Sequence, residues 1–107
     1  MDIEHIRQRV QAGYYLVKSH AVQHAIKEGF DRQHIEEAIL RGEIIEEYPD
    51  VQRALICGRV TLKQNLKIYL HTVCEYADPV YVEIVTAYIP DASQWENPPL
   101  RRRRRKR

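Results

Sequence analysis

The stretch SHAVQH, Ser19 to His24, sets two imidazoles four residues apart, and these are the residues whose chemistry comes first. On a helix His20 and His24 stand about 40° apart, with Lys27 beside them, opposite the apolar arc of Ala21, Val22, Ala25, Ile26 and Gly29. With Ser19 as N-cap, His20 is the first residue after the cap. There the helix N-terminus disfavours an imidazolium and favours anions. A neutral histidine beside free backbone N–H groups suits a general base next to a phosphate. The same spacing could hold zinc, but HAVQH lacks the glutamate of the H-E-x-x-H pattern and no third ligand is near. No metal and no cofactor are expected. The alternative for both histidines is a solvated helix face.

His71, in LKIYLHTVCEY, is the second centre of interest. Metal-free RNA cleavage needs a base for the 2′-hydroxyl proton, an acid for the leaving oxygen, and a cation for the charged phosphorane. His20 as base, His71 as acid and Arg53 or Lys67 as cation would supply all three, with His24 in support. This chemistry requires a helix start and a mid-sheet strand to meet at one phosphate. Arg53, Arg59, Lys63 and Lys67 cluster on the central strands, and Arg59 and Lys67 are expected to contact nucleic acid. The other reading of His71 is a hydrogen-bonded or surface residue of a strand.

The elements that must position these groups are legible in the periodicity. Ile3, Ile6 and Val10 fall at helical spacing before Gly13, and Tyr14–Lys18 reads as a strand or extended link. A second helix runs from Ser19 to about Gly29. Asp31 caps a third, with Phe30 packing on Ile35 as a hydrophobic staple, and Gly42 ends it. The period then changes to two. EIIEEY, VQRALICGRVTL, LKIYLHTVCEY and VYVEIVTAYI read as four strands of an antiparallel meander, joined at Pro49-Asp50, Lys63–Asn65 and Ala77–Pro79. A three-residue loop at Ala77–Pro79 puts Tyr76 opposite Val80. Ile68, Leu70, Thr72, Cys74, Thr86 and Tyr88 then share the helix-facing side, and Tyr69, His71, Glu75, Glu83 and Val85 the open side. A slip of one residue would exchange these faces. The fold class is α+β: two or three N-terminal helices packed on a four- to five-stranded antiparallel sheet, in a single domain of residues 1–97.

At 107 residues, with 44% hydrophobic and 30% charged residues, one core can form without metal or disulfide staples. Cys57 and Cys74 each sit in an apolar run and read as reduced core thiols. The opening MDIEHIRQRV has charges where a signal peptide needs an apolar stretch, and no run approaches a membrane span. The expectation is a cytoplasmic protein with no membrane contact. The net charge of +2 hides two unlike parts. Arg101, Arg102, Arg103, Arg104, Arg105, Lys106 and Arg107 carry seven cations. Without them, ten Lys and Arg stand against fifteen Asp and Glu, a body of net −5. Residues 98–107 read as a disordered, Pro/Arg-rich tail whose cations hold nucleic acid or an acidic surface, or fold back loosely over the acidic body.

The segments SHA, EEAILRGEIIEEYPD, LICG, LHTV and IVTAYIPD…W, in that order, bring a family into view. The chain resembles the small prokaryotic proteins of domain-of-unknown-function family 4258 over about residues 14–95, most specifically from Glu37 to Asp50 and from Thr86 to Trp95. That family is similar in layout to the RelE-like toxins, ribonucleases of toxin–antitoxin systems. The resemblance implies a RelE-like fold and a metal-independent endoribonuclease, with RNA and an antitoxin-like protein as partners. His20 falls on the family's Ser-His-Ala histidine and His71 on that of its Leu-His strand. Glu46, Tyr48, Asp50, Thr86 and Tyr88 fall on recurrent polar positions, so Tyr48 and Tyr88 join Arg53 and His24 around the catalytic pair. His24 stands where many members carry arginine, which removes a permanent cation. Kinship of fold does not fix function. The alternative is a non-catalytic nucleic-acid or protein binding module that uses the basic C-terminal tail.

Overall fold

A computed structural model describes residues 1–104 of the chain. Helices α1 (Ile3–Gln11), α2 (Ser19–Glu28) and α3 (Arg32–Arg41) alternate at first with a short strand, β1 (Tyr15–Val17). Strands β2 (Glu43–Tyr48), β3 (Arg53–Thr61), β4 (Lys67–Glu75) and β5 (Val82–Tyr88) follow. They form one five-stranded sheet of order β1-β5-β4-β3-β2. The fold class is α+β, as expected. The sheet is mixed rather than purely antiparallel, because β1 joins β5 in parallel at one edge. A parallel neighbour needs a long crossover, and here that crossover is the whole of α2, α3 and the meander.

The helix boundaries follow local chemistry. Asp31 caps α3: its Oδ1 accepts from Gln33 N at 2.9 Å, while His34 Nδ1 accepts from Asp31 N at 2.9 Å. Gly29, at φ 83°, takes the left-handed turn that ends α2, its N–H bonding Ala25 O. The start of α2 differs from expectation. Lys18, not Ser19, is the N-cap, with no side-chain capping bond. Lys18 N still donates to Ile84 O, so the strand pairing holds the chain extended one residue before the helix begins. His20 therefore sits second in the helix.

All three helices cover one side of the sheet. Ile6, Val10, Ala21, Ile35, Ala38 and Ile39 pack there against Ala54, Ile56, Val60, Leu70, Cys74, Val82, Ile84 and Ala87. Gly58 is what lets α3 lie this close to β3. A Cβ at Gly58 would fall 2.6 Å from Ala38 Cα and 2.7 Å from Ala38 C, inside the helix backbone. Thr72, on the same buried side, has a hydroxyl with no hydrogen-bond partner among the described residues.

The β4–β5 hairpin departs from the expected register, and this matters most for the site. Asp78 Oδ1 accepts from Val80 N and Tyr81 N at 2.8 and 2.9 Å, which holds these residues in the loop and delays β5 to Val82. Glu75 pairs with Glu83 and Cys74 with Ile84; the register then shifts, and Val73 pairs with Thr86 and His71 with Tyr88. The extra residue of this bulge, Val85, reverses the faces beyond it. Thr86 and Tyr88, expected under the helices, lie on the open side with His71.

Gly58→Ala is expected to lower stability by about 3 kcal/mol in chemical denaturation, since both backbones must part. Thr72→Val, which keeps the shape and removes the unpaired hydroxyl, is expected to raise the denaturation midpoint, by about 1 kcal/mol in free energy.

Candidate functional site on the open face of the sheet

The strand register places the open face residue by residue. Across the strands run Glu43, Cys57, His71 and Tyr88; then Glu46, Leu55, Val73 and Thr86; then Tyr48, Arg53, Glu75 and Glu83. An open antiparallel face is normally wet. This one is dry at its centre: Leu55, Cys57 and His71 are as buried as the helix-side core. What covers them is the C-terminal segment. Trp95 pairs with Arg102 across a tight hairpin, held by Glu96 N to Arg101 O and Arg103 N to Gln94 O at 2.9 and 2.8 Å. Of residues 98–107, expected as a disordered tail, Pro98 to Arg102 are thus laid on the sheet. Arg105, Lys106 and Arg107 lie outside the described residues.

His71 is the centre of this contact. It is fully buried, its ring edge-on to Trp95 with centroids 4.4 Å apart. Its Nε2 lies 2.8 Å from the Pro99 carbonyl, which can only accept, so Nε2 carries the proton. Nδ1 is then the acceptor, and Tyr88 Oη donates to it at 3.2 Å. Burial pushes the imidazole below its ordinary value, against the Pro99 bond and the Glu46 charge, with Arg102 adding to the depression. His71 is a neutral, fully partnered group.

Arg102 makes the second anchor. Its Nε and Nη2 reach the two Glu46 oxygens at 2.8 and 3.0 Å, and its guanidinium lies 4.7 Å from the Trp95 ring centroid. Tyr48 Oη donates to Glu46 as well. The Arg102 bond, ahead of the opposing effect of burial, holds the Glu46 carboxyl below its usual range. Burial pushes Tyr88 up to about 12 and Cys57 up to about 11, so neither ionises near neutrality. Cys74 is pushed to about 12 on the helix side, and the sheet keeps the two thiols apart.

The expected site residues divide between the two sides. His71, Tyr88 and Tyr48 come together here. Arg53 shares their face but is tied to Glu75 at 3.0 Å, at the end of β3 away from His71. Arg59 lies over the Tyr69 ring, 5.4 Å from its centroid, and Lys67 is exposed nearby, both at the opposite end of that strand pair. His20 and His24 are not part of the group. They sit on α2, which packs over β5 on the helix side, so the sheet lies between them and His71. Their rings meet edge-on at 4.6 Å, and His24 Nδ1 is 2.9 Å from Glu28, whose other oxygen accepts from Ile89 N. That chain of bonds pins the end of β5 to α2, a structural role for His24.

Sequence reasoning named Glu46 only as a recurrent polar position and Trp95 only as a residue that a turn lays on the body, and it missed Cys57 and Pro99 as members of the site. A signal for Trp95 is that it is the chain's only tryptophan. Arg102 was grouped with the nucleic-acid-binding cations, and here it answers a carboxylate of its own chain. No cluster of three or more His, Cys, Asp or Glu side chains suited to a metal lies among the described residues.

Because the unfolded chain takes up the His71 proton more readily than the folded one, acid opposes this packing. Stability is full above the ordinary value of 6.5 and falls as pH drops below it toward the lower folded value. Carboxylates such as Glu46, held below 4.5, lose their contribution only in stronger acid. Denaturation midpoints are therefore expected to fall between pH 7.5 and 5.5, with a red shift of Trp95 emission. His71→Gln, which can keep both hydrogen bonds without titrating, should flatten that slope.

Comparison with known proteins adds one finding. A match to the family described as domain of unknown function (DUF4258) spans residues 17–89, from β1 through β5. No curated protein and no solved structure matches the chain. The covering segment, with Trp95, Pro99 and Arg102, lies beyond the matched residues. No helix is long and apolar enough to cross a membrane among the described residues. With more than half of its length matched, the chain belongs to the DUF4258 family.

Proposed function

We propose that the open sheet face is a docking face for an arginine-bearing chain segment, and that the protein is a non-catalytic binding module whose own residues 95–102 occupy that face. The observation that carries this is the double anchor: Glu46 takes the Arg102 guanidinium while His71 donates to the Pro99 carbonyl. These are bonds that a polypeptide supplies. A phosphodiester would meet an ionised carboxylate and an uncharged imidazole instead, and both disfavour it. The cation at the centre, Arg102, arrives with the segment itself.

The toxin-like ribonuclease reading needs His20 and His71 on one phosphate, and a sheet separates them. Its remaining support is the sharing of one face by a carboxylate, an imidazole and two phenols. Both nitrogens of that imidazole are engaged, by Tyr88 and Pro99, which leaves it no proton to give a substrate.

Burial of Trp95 outweighs the Arg102 anchor in holding the segment. Full burial of a large apolar side chain contributes about 3 kcal/mol, a half-exposed ion pair about 1 kcal/mol or less. A full-length Trp95→Ala/Arg102→Ala variant should therefore expose the face without unfolding the helix-side core. A synthetic peptide of residues 91–104 then carries the only tryptophan in the mixture. Saturable binding with a blue shift of its emission is expected, weakened tenfold or more by adding Glu46→Gln. An unchanged spectrum at millimolar peptide would contradict the proposal. So would His71-dependent RNA cleavage in chelator by the wild-type chain.

A further inference from the structure

The β1 edge of the sheet carries a surface that the docking face leaves unused. Tyr14, Leu16, Val22, Ile26, Val80 and Tyr81 are all exposed, and they lie in or just before β1, in the adjoining α2 or in the loop that enters β5. Ile26 is the extreme case at 79% exposure, and Leu16 stands at 51%. Scattered apolar residues on a surface need no explanation, but a gathering at a sheet edge marks a contact.

Among the described residues the backbone of β1 has no strand neighbour on this edge. Tyr14 O accepts from Val82 N, and Lys18 N donates to Ile84 O. In a parallel ladder this turns the even-numbered residues of β1 toward β5, so the N–H and C=O groups of Tyr15 and Val17 face outward. No strand pairs with them, and no backbone bond from a turn or loop reaches them among the described residues. An apolar groove of about 440 Å³ runs along the same edge, its floor formed by Tyr15, Val17, Phe30 and Ile35, its rim by Leu16 and Ile26.

We infer that this edge is where two copies of the chain pair. The charges beside it are answered internally: Lys18 lies 3.9 Å from Glu83 and Arg32 3.8 Å from Glu36, with Arg32 Nε also on Tyr15 Oη at 2.7 Å. The surface thus calls for an apolar occupant with a free strand edge, and asks for no opposite charge. The same edge of a second copy meets both needs. A two-fold axis through Leu16 sets Tyr15 against Val17 of the second copy, and each pair exchanges both backbone bonds. Leu16 then faces its own counterpart as a non-hydrogen-bonded pair, and Lys18 lies across from a Tyr14 ring. The five-stranded sheet continues into a ten-stranded one. Both α2 helices fall on the same side of it, where Ile26 of each copy can enter the groove of the other. The interface is isologous, so it closes at two.

Light scattering after size exclusion tests this on the full chain. Wild type at 200 μM is expected at about twice the 12.7 kDa chain mass. Ile26→Glu is expected to run at the single-chain mass with unchanged Trp95 emission and a cooperative thermal transition, its midpoint lowered only by the loss of association. Leu16→Cys fixes the register: its thiol would lie across the axis from its twin, so mild oxidation should yield a covalent dimer. The native thiols are buried and do not compete. Val51→Cys, equally exposed but away from this edge, serves as the control. A monomeric wild type at 200 μM would overturn the proposal, as would a dimer indifferent to Ile26→Glu or equal cross-linking of the two cysteine variants. A monomer that instead binds an apolar peptide at this edge would overturn the choice of a second copy as occupant.

Discussion

The arrangement of the open face depends on one buried imidazole. His71 has no exposure, and a buried polar ring must have partners for both nitrogens or cost the fold heavily. The bulge at Val85 supplies one partner by turning Tyr88 to the His71 side. The C-terminal hairpin supplies the other through the Pro99 carbonyl. Two features distant in sequence are thereby bound to one constraint. Without the bulge, Nδ1 would face no donor; without the hairpin, the ring would face water and Leu55 and Cys57 would lose their cover.

The molecule is consequently built in three layers with unequal purposes. The helix-side core is wide and apolar, and it sets the fold. The far-side layer is small, formed around Leu55, Cys57, His71 and Trp95, and its rim is polar. A thin layer with a carboxylate at its rim suits a reversible contact better than a structural one, because its anchors are few and one of them is half exposed. The opposition of an acidic body and a cationic end, visible in composition, becomes at Glu46 and Arg102 a bond between specific atoms.

Much of the fold was legible in the residues. The apolar spacing of Ile3, Ile6 and Val10, the Asp31 cap and the period-two runs gave helices and strands in the right order. What sequence could not yield was set by contacts between distant segments. Ser19 reads as a cap, yet the bond from Lys18 to Ile84 moves the helix start. Ala77–Pro79 reads as a tight loop, yet Asp78 holds Val80 and Tyr81 outside the strand. The resulting shift moved Tyr88 and Thr86 to the face on which the site is built. For the return of the C-terminal segment the composition offered only a loose fold-back over an acidic body: seven consecutive cations suggest repulsion, and only Glu46 across the sheet explains where Arg102 settles.

The protonation state of His71 tests this account most directly. In a ¹⁵N–¹H long-range correlation at pH 7, the ring should appear as the neutral Nε2–H form, with its proton protected from exchange with solvent. A cationic ring would mean that Tyr88 does not donate to Nδ1, and an Nδ1–H form or a freely exchanging proton that Pro99 is not its partner. The covering segment would then not be seated as described, and the docking face would lose its defining contact.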